Sequence, residues 1–408
     1  MSEPVKHPGQ QPESYQPRKP EMMKALEEVQ GQAERNGASQ AAVSSGGSGG
    51  KMIPNVPPIK YDGNNAGMYT TLLSAALQSI GEECDGAKLT ALSGAGNRFC
   101  WSGKWTCGHE LPESINDTPY ETESRVLNAI GWKAKFATVE RDKEGNYVNT
   151  NLAQIRRDFI DSIDKGFPVI AQYSGHGHAL SNIFFGYEDD GRKIISYPYA
   201  SRLNVQLEGF EPGVSEPLDP ETPVAEDNWE DTITEYILLQ EKEDTVSERN
   251  TALAVFQWIS RHARKTTRTK IYGNLVGFAA WELFLTHLEH DDFSELSFDQ
   301  AKIRFDEYCN DLCQIWERKA ALPYYRSLSE QFPEWREELD AAVAALDACA
   351  SYVEYPWKHG FSSKKAGIKK FKTAKGRKKL AEAGREAMKK DMEAVEQFEK
   401  IVKKEEQI

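Results

Sequence analysis

Two short runs of the chain hold the side chains best able to move a proton. In Gly175-His176-Gly177-His178, two imidazoles stand two residues apart, on one side of the backbone if the run is extended. Such a pair serves as a general base or as half of a metal site. No further ligands are spaced recognisably around it, so neither a metal nor a cofactor is expected. The second run is Cys100, Cys107 and His109, interleaved with Trp101 and Trp105. It holds the makings of a displaced nucleophile or a redox pair, set against the commoner use of free cysteine as a small buried hydrophobe. Cys309 and Cys313, one helical turn apart, are expected to pack inside a helical bundle. Thr70 and Thr71 fall within a helical pattern, where a hydroxyl usually bonds back to the preceding turn.

The elements that must position these residues are legible in the hydrophobic pattern. From Ala66 to Ile80 apolar residues recur at helical spacing, and Gly81 stands where a C-cap glycine belongs. Ala87 to Leu92 reads as a second helix, Arg98 to Trp101 as a short extended piece, and Tyr120 to Ile130 as a helix opened by Thr118-Pro119. Lys133 to Thr138 and Pro168 to Tyr173 read as strands on either side of a helix over Leu152 to Asp164. The run Ala179 to Glu188, the turn Asp189-Asp190-Gly191-Arg192 and the run Lys193 to Tyr197 predict an antiparallel hairpin. An acidic loop from Glu208 to Asp231 then leads to a last strand, Thr234 to Gln240. Helices first and a hairpin later describe an α+β domain rather than a βαβ repeat.

Beyond Thr245 no strand signal remains. Thr251 to Arg264, Gly273 to Glu289, Phe298 to Leu328, Trp335 to Tyr352 and Lys378 to Lys404 each keep an apolar stripe, which predicts an all-α helical domain. Trp281, Trp316, Trp335 and Trp357 are expected as its core. The division is therefore a polar tail and Gly/Ser linker over 1–51, an α+β domain over 52–242, a helical domain over 243–360, and a basic segment with a final helix over 361–408.

With 408 residues, 39% of them hydrophobic, the chain can build two cores. No run approaches the roughly 18 to 20 apolar residues a membrane span needs, and six scattered cysteines without a CxxC pair suit a reducing cytoplasm. A net charge of −13 makes nucleic acid an unfavoured partner, although Lys364 to Lys379 carries nine Lys or Arg and no acid. That segment is expected to be a solvated linker.

Several motifs in order resemble one family. Lys165-Gly166-Phe167-Pro168-Val169-Ile170, Gly177-His178 and Gly186-Tyr187-Glu188-Asp189-Asp190-Gly191 are similar to the papain-like cysteine-peptidase fold of double-glycine leader peptidases and of the butirosin biosynthesis protein H family. The second branch is favoured by Ser93-Gly94-Ala95-Gly96-Asn97-Arg98, by Asp227-Asn228-Trp229-Glu230, and by Glu317-Arg318-Lys319-Ala320-Ala321 in the helical half. The resemblance covers residues 56 to 355. It implies a papain-like α+β fold with an antiparallel sheet, followed by an all-α domain, and a relation to acyltransferases of natural-product biosynthesis.

The resemblance also implies site residues. The nucleophilic cysteine of such proteins opens the first long helix, but Asn64-Asn65-Ala66-Gly67-Met68-Tyr69 stands there, with Met68 in the slot. A thioether cannot be deprotonated to attack a carbonyl. His178 would be the general base with His176 beside it, Asn65 an oxyanion donor, and Asn64, Met68, Tyr69, Arg98, Cys100 and Ser196 the cleft. The slot for a third Asp or Asn holds Ser196-Tyr197-Pro198. The expected function is a small-molecule or acyl/peptide ligand-binding protein that has lost the chemistry, working with a carrier or partner protein. The alternatives are an acyltransferase or amide/thioester hydrolase using His178 with a displaced nucleophile, and a nucleic-acid or membrane accessory acting through the basic tail.

Overall fold

The computed structural model describes residues 49–58, 68–82, 84–106, 109, 112–139, 152–173, 180–197, 222–243 and 246–407. Its first half runs β1 (Lys51–Met52), α1 (Met68–Ser79), α2 (Gly86–Ser93), β2 (Cys100–Trp101), α3 (Glu121–Ala129), β3 (Trp132–Thr138), α4 (Leu152–Asp164), β4 (Val169–Tyr173), β5 (Leu180–Glu188), β6 (Lys193–Ser196), β7 (Val224–Asp227) and β8 (Ile233–Lys242). The sheet has the order β3-β8-β4-β5-β6-β7, with β1 also on β5, and every pairing is antiparallel. Side chains alternate across a strand, and successive Phe184 and Phe185 are each 2% exposed, so both faces of β5 are covered. Phe159 of α4 packs on the Phe184 face, together with Trp229 and Tyr236. Helix α1, buried all round from Thr70 to Leu77, also packs against β4 and β5.

The second half runs α5 (Glu248–Ala263), β9 (Leu275–Val276), α6 (Gly277–His290), α7 (Phe298–Gln331), α8 (Arg336–Ala350), α9 (Tyr355–Lys358), α10 (Lys365–Lys372) and α11 (Ala374–Glu405). Ser297 opens α7 with a full capping box, its side chain bonding the Gln300 amide while Gln300 reaches back to the Ser297 amide. Helix α11 packs on α5, α6 and α8, and α7 packs on α8 and on α2.

Near residue 242 the element type changes but the packing does not break. Strand β2 pairs with β9, Cys100 opposite Val276 and Trp101 opposite Leu275. Phe99 stacks on Trp281 at 4.2 Å and joins, with Trp101, the same core cluster as Phe284, Phe305 and Tyr308. The described residues of the two halves accordingly belong to one packed unit.

Four expectations need correction. The helical half does contain a strand, β9, too short at two residues to leave a periodic signal. The basic segment is no solvated linker: α10 buries Ile368 and Phe371, and Arg377, 3% exposed, gives hydrogen bonds to the carbonyls of Phe371, Lys372 and Asp291. Cys313 is exposed rather than packed, and Cys309 is half-buried. Of the four tryptophans expected in the core, Trp281 and Trp335 are fully buried, whereas Trp357 is 49% exposed.

Candidate functional site

His176, His178, Asn64, Asn65 and Cys107 lie outside the described residues, and Met68 and Tyr69 are the first two residues of α1. Ser196 ends β6 fully buried, its hydroxyl accepting a hydrogen bond from Asn182 Nδ2 at 3.1 Å. Arg98 and Cys100 are also fully buried, so neither lines an open cleft. They hold a different residue in place, His109.

The local chain explains how. Helix α2 ends at Gly94, whose φ of +77° suits a residue without Cβ, and a 3₁₀ turn over Ala95–Asn97 delivers Arg98 into the interior. There Arg98 Nε and Nη2 each meet a carboxylate oxygen of Glu317 at 2.9 Å, a two-pronged pair with α7. Burial opposes the Arg98 charge, and Glu317 more than offsets it, so the guanidinium pKa is raised. The next residue, Arg318, pairs with Asp391 of α11 and gives a hydrogen bond to the Arg98 carbonyl at 3.0 Å. The Gln314 side chain takes the Cys100 amide at 2.8 Å and donates to the Cys100 carbonyl at 3.3 Å, in effect a second partner strand for β2. Between β9 and α7, β2 has little freedom to move.

Three donors from this frame converge on the main-chain carbonyl of His109: Ser114 Oγ at 2.9 Å, Cys100 Sγ at 3.1 Å and Arg98 Nη1 at 3.3 Å. The imidazole, 2% exposed, lies 4.8 Å from the Trp101 ring. Its Nδ1 is 3.0 Å from Asp311 Oδ1, and Gln314 Nε2 holds that same oxygen at 3.2 Å. Its Nε2 is 2.9 Å from the hydroxyl of Ser102, a half-buried residue just after β2. A carboxylate on Nδ1 selects the tautomer with its proton there, leaving the Nε2 lone pair toward Ser102. The Lys104 amide donates to Ser102 Oγ at 3.2 Å, and the Ser102 amide to His109 Nε2 at 3.2 Å.

Serine, histidine and aspartate are thus linked in the order nucleophile, base, orienting acid. Sequence reasoning grouped His109 with Cys100 and Cys107; Cys100 meets its carbonyl rather than its ring, and Cys107 lies outside the described residues. Ser102 and Asp311 were missed. The available signal was the run of polar residues Asp311, Gln314, Glu317 and Arg318 on the buried face of α7. Among the described residues no group of three or more His, Cys, Asp or Glu side chains is arranged to hold a metal ion. No protein-family model matches this sequence, and no curated protein matches it.

Proposed function

We propose that this protein performs acyl transfer or acyl hydrolysis, with Ser102 as nucleophile, His109 as general base and Asp311 as the residue that orients the base. The observation that carries the reading is the pair of contacts on one imidazole, Ser102 Oγ on Nε2 at 2.9 Å and Asp311 Oδ1 on Nδ1 at 3.0 Å. Ser102 Oγ attacks the carbonyl carbon of an ester, thioester or amide while its proton passes to His109 Nε2. The resulting imidazolium is stabilised by Asp311. The tetrahedral intermediate expels the leaving group, which takes the proton from Nε2, and water or a second nucleophile then releases the acyl group by the reverse proton path. The Lys104 amide, donating to Ser102 Oγ at 3.2 Å, helps fix the orientation of that hydroxyl.

The fold reading that goes with it is a papain-like frame. It is supported by the antiparallel order β8-β4-β5-β6, by α1 packed on β4 and β5, and by residues 174–179, including His176 and His178, joining β4 to β5. The acyl chemistry that the resemblance implies is the chemistry this Ser-His-Asp arrangement performs, with the nucleophile displaced from the Met68 slot. A small-molecule or acyl/peptide substrate fits both.

The test is labelling of the whole protein with a fluorophosphonate, read by intact mass and peptide mapping. One adduct on Ser102 is expected, absent from Ser102→Ala and slowed in Asp311→Asn. No adduct, or an adduct that persists in Ser102→Ala, overturns the assignment. The His109 network is then a staple for the 102–109 loop, and the non-catalytic ligand-binding reading takes its place.

A further inference from the structure

A second polar cluster, built by other elements, gathers carboxylates around a tyrosine. Tyr120 precedes α3 with a φ of +57°, and its ring stacks on Phe136 of β3 at 4.8 Å with 19° between the planes. The Tyr120 hydroxyl bonds Thr138 Oγ1 and also meets the carboxylate of Glu235, which lies opposite Thr138 in the β3–β8 register. Glu123, in the first turn of α3, is 8% exposed, and its Oε2 has no hydrogen-bond partner. Among the described residues, no Lys or Arg forms an ion pair with Glu123 or Glu235. The nearest cation along α3, Arg125, is turned away onto the Leu92 and Ser93 carbonyls and the Trp258 ring, 4.0 Å from its centre.

A buried carboxylate oxygen with nothing to accept is costly, and natural structures rarely leave one without a reason. Burial pushes the Glu123 carboxyl up to about 7, with the charges of Glu113 and Glu235 adding to the effect. Burial raises Glu235 too. The group missing from this arrangement carries positive charge, donates hydrogen bonds and tolerates aromatic faces. A bare metal ion fits poorly, because no described grouping converges as metal ligands do.

We propose that Glu123, Glu235 and Tyr120 form a binding site for an organic ammonium ion, a primary alkylamine whose N–H groups reach the free Glu123 oxygen while its charge faces the two carboxylates and the Tyr120 ring. A charged hydrogen bond and a cation over an aromatic face are the two attractions the site offers and leaves unused. The site is independent of Ser102.

Putrescine and spermidine are the probes, titrated calorimetrically into the full-length protein at pH 8, with magnesium and calcium chloride at matched ionic strength as controls. Saturable binding of the amines is expected, weakened about tenfold or more in Glu123→Gln and in Glu235→Gln. Both variants are also checked for folding by circular dichroism. Because Glu123 must be ionised to accept the ammonium, affinity should fall as the pH drops through about 7. Absence of saturable amine binding, equal binding of the divalent ions, or unchanged amine affinity in both folded variants overturns the proposal. None of these outcomes bears on labelling at Ser102.

Discussion

The His109 cluster and the Glu123 cluster differ in what stands against the buried carboxylate: Asp311 meets an imidazole and an amide, whereas among the described residues no ion pair forms on Glu123. Around His109 each ring nitrogen has a partner, the carbonyl has three donors, and the frame behind it is tied by two buried ion pairs, Arg98 with Glu317 and Arg318 with Asp391. Around Glu123 an interior carboxylate oxygen accepts nothing. A group that must transfer a proton benefits from fixed geometry, which favours a matched frame. A group that must receive a ligand needs capacity left over. The chemistry proposed for the first cluster and the binding proposed for the second rest on this contrast, and each prediction below can separate or collapse the two.

The largest expected effect is on the matched cluster. Replacing Asp311 by Asn removes the charge that holds the His109 tautomer, and the fluorophosphonate reaction should slow by on the order of 10³ to 10⁴. Circular dichroism and melting should change little by comparison. A labelling rate within a few-fold of the wild type would show that the contact is a structural staple, and the contrast would fail on that side.

Next comes the frame itself. Arg98→Ala takes from Glu317, 2% exposed, its two-pronged guanidinium partner and removes one donor from the His109 carbonyl. Chemical denaturation should report a loss of about 3 to 5 kcal/mol. Replacing both partners by apolar residues of similar volume should recover much of that loss, since an ion pair in the interior contributes less than the cost of breaking it on one side.

The opposite sign is expected at Glu123. Its folded pKa of about 7 lies above the value of 4.5 expected for the unfolded chain, so the folded state binds the proton more tightly. Stability from this group is therefore greatest below about 4.5, where both states are protonated, and falls as the pH rises through 7. Without amine at pH 8, Glu123→Gln should stabilise the protein by about 2 to 3 kcal/mol and flatten the pH profile between 5 and 8. A destabilised Glu123→Gln variant would mean that the carboxylate is already matched, and the two clusters would no longer differ.

The helices carrying both clusters were legible from the hydrophobic pattern, with bounds that shift by only a few residues: Tyr120 to Ile130 became Glu121–Ala129, and Phe298 to Leu328 became Phe298–Gln331. The helices show because each must bury one stripe. The antiparallel sheet shows because the Asp-Gly turn after Glu188 ties two strands that are neighbours in the chain. The clusters do not show, because their members are joined by tertiary contact alone. His109 and Asp311 are separated by 202 positions, and nothing local to either points to the other. Glu123 looks like an ordinary acid favouring a helix N-terminus, and only its burial makes it unusual. His176 and His178, the most conspicuous run in the sequence, fall outside the described residues.

The smallest expected effect separates helix stability from site geometry. Ser297 caps the amide of Gln300 at the start of α7, the helix that supplies Asp311, Gln314, Glu317 and Arg318. Ser297→Ala should cost about 1 kcal/mol in denaturation, the usual size for a lost cap. Fraying at a cap is confined to the first turn, and Asp311 lies well inside the helix, held by Gln314 and His109. The rate of labelling at Ser102 and the affinity for spermidine should therefore both stay at wild-type values while the melting temperature falls. If labelling falls with stability, the His109 frame is poised by the whole length of α7, and its apparent rigidity is borrowed from the helix end. If labelling holds, the frame is local to Arg98, Gln314 and Arg318, which is what a matched cluster requires.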